Sequence, residues 1–275
     1  MIPQNPAAGR MRRPAVGDFL KTVNICCAKN VVIKGVTLMN GASWNVHMIY
    51  SKDIVTCLST FRSENVWNGD GWDPDSSKNC TLFGCEFFTG DDSVAVKSGK
   101  NPEGNIINIT CENIRIFDCV SRLGHGIAIG SEMSGGVKDV KIWNCDIENS
   151  IHGIHIKATE KRGGYIKNID VRYVRTSRIQ IHSVPYNDDG ESSDTPPLFS
   201  DCYFENIYIA GKRVRHDGVL AACDAVTVEG FETPEHFVKN IKFKNIELAS
   251  GMGDGSQTLS LRRCEGISFE NIYCK

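Results

Sequence analysis

Three aspartates stand close together in the chain, in glycine-flanked settings. Asp70 lies in Asn68-Gly69-Asp70-Gly71, and Asp91-Asp92 follow Gly90. Carboxylates grouped in this way can divide acid and base work. One holds a proton for a leaving oxygen, while another stays ionised and activates water. Neighbouring like charges push their pKa values apart, which keeps one protonated beside an ionised partner. That is the chemistry of glycosidic bond cleavage. Taken singly, each Asp reads as a turn residue, because Asp-Gly and Gly-Asp favour tight turns. Three later stretches, DDSVAVKS (91–98), GHGIAIGS (124–131) and IHGIHIKA (151–158), align without gaps. The alignment puts Asp92, His125 and His152 in one column, Ala95, Ala128 and His155 in a second, and Lys97, Gly130 and Lys157 in a third. Stacked along an axis, these groups converge on one face. The candidate catalytic residues are Asp91, Asp70, Asp92 and His125. The candidate substrate-binding residues are His155, Lys157, His152 and Lys97. His47, His182, His216 and His236 lack such a setting and read as ordinary residues. No His or Cys trio has metal-ligand spacing, so neither a metal nor a cofactor is expected.

The elements that would position these groups repeat along the chain. Asn30, Asp53, Asn79, Asn113, Asp139, Asn168, Asp201, Asn240 and Gly266 each open a short unit, between 23 and 39 residues apart. Each unit reads turn residue, apolar, any, apolar, two mostly polar residues, then apolar again. Alternation at period two marks strands, and the Asn, Asp or Gly marks a turn. A fixed core with variable insertions is the pattern of a solenoid. The units are β-branched rather than leucine-rich, and none carries an amphipathic helix. The expected fold is therefore all-β, a single-stranded parallel β-helix. Nine coils stacked at strand spacing give a rod of roughly 40 Å. The longer insertions are 98–110, 184–200 and 213–234, and the Pro-rich middle one is expected to be a surface loop.

The seventh residue of each unit forms an almost wholly apolar column from Val36 to Ile272, which includes Cys85, Cys119 and Cys145. These three are expected in the core as small hydrophobes. Twelve unpaired cysteines suit a reducing or anaerobic setting. The net charge of −2 and scattered Lys and Arg exclude a polybasic surface for nucleic acid or an anionic membrane. No apolar run approaches ~18 residues, so no membrane span is expected. Residues 1–14 carry no repeat and are expected to be a loose arm, with 15–275 a single solenoid domain. The start lacks the apolar core of a signal peptide. Localisation is expected to be secreted or periplasmic if an N-terminal segment is missing, and cytoplasmic if the chain is complete.

On these residues the chain resembles glycoside hydrolase family 28, the polygalacturonase family. Its motifs Asn-Thr-Asp, Gly-Asp-Asp, Gly-His-Gly and Arg-Ile-Lys occur in order as Asn68-Gly69-Asp70, Gly90-Asp91-Asp92, Gly124-His125-Gly126 and His155-Ile156-Lys157. The flanks GWDPDSSKN, DDSVAVKSGKN, IGSEMSGGVKDV and KRGGYIKNI resemble bacterial exo-acting members. The resemblance implies a right-handed β-helix and inverting hydrolysis of an α-linked pectic sugar. It implies Asp91 as general acid, Asp70 and Asp92 holding and activating water, His125 tuning the acid, and Lys157 gripping a substrate carboxylate. It also implies a pectic oligo- or polysaccharide partner and a chain lacking the family's N-terminal coils. Two positions depart from the pattern. Gly69 replaces Thr, and His155 replaces Arg, which gives up a permanent charge and a two-pronged grip on carboxylate. A hydrolase of rhamnogalacturonan or xylogalacturonan, a non-catalytic carbohydrate-binding β-helix, and a polysaccharide lyase of the same architecture stand as alternatives.

Overall fold

The computed structural model describes residues 21–185, 190–215, 218–249 and 259–274. The arm expected over 1–14 and His216 lie outside them. The repeat openers take a left-handed backbone. Asn30, Asp53, Asn79, Asn113, Asp139, Asn168, Asp201 and Asn240 have φ between 55° and 59°, and Gly266 has 67°. Asn, Asp and Gly accept that region at low cost. Each opener bends its strand near the start rather than ending a turn, as Asn30 does inside Lys29–Lys34. Openers on successive coils also bond to one another. The Nδ2 of Asn79 donates to Oδ1 of Asp53, and the Nδ2 of Asn113 to Oδ1 of Asn79, each at 2.7 Å.

The chain winds as a parallel β-helix. One sheet holds nine strands in chain order, from Val23–Cys26 through Val46–Ile49, Trp72–Asp75, Val94–Val96, Gly126–Ile129, Gly153–Ala158, Ile179–Ser183 and Val226–Glu229 to Leu259–Arg262. The repeat units form a second parallel sheet. In the early coils a short third strand follows, such as Glu86–Thr89. In the later coils the second and third strands fuse into long ones, such as Tyr165–Thr176 and Leu198–Ile209. The insertion expected over 213–234 contains Val226–Glu229, so part of it is a coil of the first sheet.

Alternation in the nine-strand sheet sets both the core and the site. Val94, Val96, Ile127, Ile129, Ile154, Ile156, Ile179 and Ile181 point inward, and none exceeds 2 % exposure. Each contributes about 1.5–3 kcal/mol by leaving water. The residues between them point outward and form the polar face. Stacking continues on the other sheet, where Phe83, Phe117 and Trp143 lie 5.1 and 4.3 Å apart. Cys85, Cys119 and Cys145 are buried as expected, and all twelve cysteines are free thiols. No helix among the described residues is long and apolar enough to cross a membrane.

Candidate active site

The register delivers the columns expected from the sequence. Ala95 pairs with Ala128, and Ala128 with His155, along three adjacent strands. Just before those strands, the backbone N–H of His125 donates to Asp91 O at 2.9 Å, and that of His152 to His125 O at 2.9 Å. One coil earlier, the Gly71 N–H donates to Asp92 O at 3.0 Å, which brings Asp70 alongside Asp92. Gly124 and Gly126 have φ of 136° and 102°. A side chain at Gly126 would run into the Gly153 carbonyl, so the Gly-His-Gly bend is tied to the close approach of the next coil.

The side chains meet as follows. His125 Nδ1 lies 2.8 Å from Asp91 Oδ1 and 3.6 Å from Asp92 Oδ1. Lys157 Nζ lies 3.2 Å from Asp92 Oδ2. Lys97 Nζ lies 3.4 Å from each of Asp70, Asp73 and Glu132, and 3.9 Å from the centre of the Trp44 ring. Thus Asp91, Asp92, His125 and Lys157 form one cluster, and Asp70 joins a second cluster around Lys97. His155 is only 2 % exposed, and its Nε2 lies 2.9 Å from Nε2 of His182. The His152 ring sits 5.1 Å from that of His125 and 4.7 Å from that of His155.

Charge is arranged unevenly over this face. Burial, together with Asp73, pushes the Asp70 carboxyl well above the usual range despite Lys97. Burial pushes Asp73 up to about 7, against the pull of Lys97. Burial would raise Asp92 too, but Lys157 and His125 outweigh it and hold the carboxylate ionised below its ordinary range. Burial would lower Lys97, but Asp73, Asp70 and Glu132 outweigh it and keep the ammonium charged. Burial also opposes the charged form of His125, yet Asp91 and Asp92 raise it to about 9. On the next coils the balance reverses. Burial, with His125, Arg178 and Lys157, holds His152 down at about 2. Burial and Lys157 press His155 well below its ordinary value, and burial with Arg178 holds His182 at about 4.

Asp91, Asp92 and His125 also offer one donor atom each within 4.8 Å of one another, a group that His and Cys spacing alone did not reveal. A protonated His125 between two carboxylates accounts for that proximity by charge. No fourth His, Cys, Asp or Glu joins the three among the described residues.

Three residues of this face were not named by sequence reasoning, and a fourth, His182, was read as ordinary. Asp73 is fully buried beside Lys97, Glu132 reaches Lys97 from another coil, Arg178 lies against His152, and His182 pairs with His155. The reading of His182 as an ordinary residue is corrected, since it lies in the Lys157 column. A fourth aligned stretch, RIQIHSV, was the available signal. His47 also belongs to this face, with Nε2 3.6 Å from Asp75.

Comparison with known proteins identifies relatives of the chain. A probable polygalacturonase of Vitis vinifera is 40% identical over 156 residues, covering 54% of this chain and 31% of that protein. An exo-poly-alpha-D-galacturonosidase of Dickeya chrysanthemi is 24% identical over 249 residues, covering 89% of this chain and 41% of that protein. The crystal structure of an exopolygalacturonase from Thermotoga maritima superimposes with a TM-score of 0.75 at 27% identity, over 90% of this chain and 53% of that one. The fold shared with these structures is the right-handed parallel β-helix. The chain spans between about a third and a half of the length of these relatives. The profile of the glycosyl hydrolases family 28 matches residues 18–196, well over half of the 275, and the chain therefore belongs to that family.

Proposed function

We propose that this chain hydrolyses an α-linked galacturonan of pectin with inversion at the sugar carbon. The observation that carries the reading is the contact of His125 Nδ1 with Asp91 at 2.8 Å, beside an Asp92 bound to Lys157 at 3.2 Å. It gives two adjacent carboxylates opposite roles. Asp91 is the more open, with 26% of its side chain exposed against 6% for Asp92. Asp91 hands a proton to the leaving glycosidic oxygen as the bond from that oxygen to the sugar carbon breaks. The imidazolium of His125, in contact with Asp91, resupplies it. Asp92, kept ionised by Lys157 and His125, takes a proton from the attacking water, and Asp70 helps to hold that water. Inversion requires the donor and the acceptor to act on opposite sides of the sugar. Lys157 and Lys97 keep the carboxylate groups in place. Lys157, with His152 at its side, faces the acidic group of the substrate.

The test is sugar release from polygalacturonate, with Asp91→Asn as control and the anomeric form of the first product read by NMR. The expected result is galacturonate of inverted configuration, lost in the control by a factor of about 10²–10⁴. A product that absorbs as an unsaturated sugar means a lyase and ends this reading. Release confined to rhamnogalacturonan or xylogalacturonan moves the substrate to those polymers, with His155 as the specificity change.

A further inference from the structure

His155 stands where the family motif has Arg, and it is buried against His182 rather than open to a ligand. A guanidinium nevertheless stands on this face, one coil further on. Arg178 immediately precedes the strand Ile179–Ser183, and its guanidinium reaches back to Nδ1 of His152 at 2.9 Å. A second one joins it from a hairpin made by Lys212–Val214 and Leu220–Ala222. The base of that hairpin is bonded directly to the residue before Arg178, with the Gly211 N–H donating to Ser177 O at 3.0 Å. This brings Arg213 close enough to Arg178 to oppose its charge. The Nε of Arg178 and the Nε of Arg213 are both buried, and neither finds a hydrogen-bond acceptor among the described residues. Asp224 acts on Arg178, and the Cys223 thiol lies beside both arginines. His152, Gln180 and His182 link the Arg178 side of this face to Lys157.

Two half-buried arginines, each with an Nε–H that finds no acceptor among the described residues, form a ready site for a carboxylate, which two parallel N–H bonds fit well. We infer that Arg178 and Arg213 form a carboxylate-binding subsite one coil beyond Lys157, which receives a second acidic sugar of the same substrate chain. The inference rests on the galacturonan reading above. It gives the molecule a grip on acidic sugar without the motif Arg. The neutral imidazoles of His152, His155 and His182 form the floor between Lys157 and this subsite.

The test uses the full chain carrying Asp91→Asn, titrated calorimetrically with trigalacturonate and with its methyl ester. The free acid is expected to bind more tightly than the ester. Adding Arg178→Gln or Arg213→Gln weakens binding of the acid by about ten- to a hundredfold and affects the ester far less. Arg178→Lys restores part of the preference, because it restores a cation. Equal losses on acid and ester would assign Arg178 a packing role and overturn the subsite. Failure to bind the acid, or an undiminished preference for it in both Gln variants, overturns it too. Sugar release by the chain with Asp91 intact judges the hydrolase reading separately. A chain that releases nothing but loses its acid preference with Arg178 keeps the subsite and loses the activity.

Discussion

Both ends of the polar face bury titratable groups, and they handle the cost in opposite ways. At the end holding Asp70, Asp73, Asp91 and Asp92, carboxyl groups are set against buried cations. Lys97 sits 3.4 Å from three carboxylates, while Lys157 and His125 hold Asp92. At the end holding His152, His155 and His182, charge is given up. The rings lie against one another as neutral imidazoles between Lys157 and Arg178, with His155 stacked on and bonded to His182. The difference follows from what each group can do. A neutral imidazole keeps both a donor and an acceptor, so one ring can bond to the next without charge. A carboxylate that must accept a proton from water has to stay ionised, and an ion in a dry site needs a partner. On the proposed reading the acidic end serves proton transfer, and the histidine end packs beneath a charged ligand.

Removing the central anion tests the acidic end most severely. Asp92→Asn takes from Lys157 the carboxylate at 3.2 Å and removes the proposed water-activating base. Turnover of polygalacturonate is expected to fall by about 10²–10⁴ in kcat. A fall of less than tenfold would mean that Asp70 alone serves as base. Lys97→Met strikes the other cluster. It leaves the buried Asp70 and Asp73, and the half-buried Glu132, without their shared cation, at a cost of about 3–5 kcal/mol in urea unfolding at pH 7. A loss below about 1 kcal/mol would mean that the carboxyls are already neutral there. Asp73→Asn separates those cases. The folded Asp73 holds its proton up to about pH 7, whereas the unfolded chain releases it near pH 4. Between those values the native state binds more protons, so this group makes the protein less stable as pH rises. The Asn variant lacks that penalty. Relative to the natural chain, it is expected to gain on the order of 2–4 kcal/mol between pH 4 and pH 8. Parallel stability curves would show that Asp73 does not titrate in this range.

Sequence reasoning reached the acidic end more fully than the histidine end, for a physical reason. Asp70, Asp91-Asp92 and Gly124-His125-Gly126 stand in glycine-rich bends, and those bends leave a mark in the chain. The β-helix itself was legible from the αL openers and the apolar alternation, because every coil must repeat them to keep its core continuous. The column of Cys85, Cys119 and Cys145 was legible on the same ground. Asp73 was not, because it lies inside a strand where an outward residue may be anything. Its burial comes from Lys97 and Glu132 on other coils. Nor was Arg178, whose neighbour Arg213 arrives on a hairpin inside a stretch that reads as an insertion. What one coil repeats can be read from the chain, whereas what two coils build between them needs the register.

The mildest test falls on the histidine end. His182 is held neutral down to about pH 4 in the folded protein, mainly by burial with Arg178 adding to it, whereas the unfolded chain protonates it near 6.5. Below pH 6.5 the unfolded state binds more protons, so this group makes the protein less stable as pH falls, opposite in sign to Asp73. His182→Gln keeps a donor and an acceptor for His155 and removes the titration. At pH 8 its stability is expected to lie within about 1 kcal/mol of the natural chain, and at pH 5 it is expected to gain about 1–2 kcal/mol relative to it. Urea midpoints across pH 4.5–8 check this. If both chains lose stability with the same slope towards acid, His182 is already protonated when folded. The histidine end would then carry charge as the acidic end does, and the contrast between the two would fail.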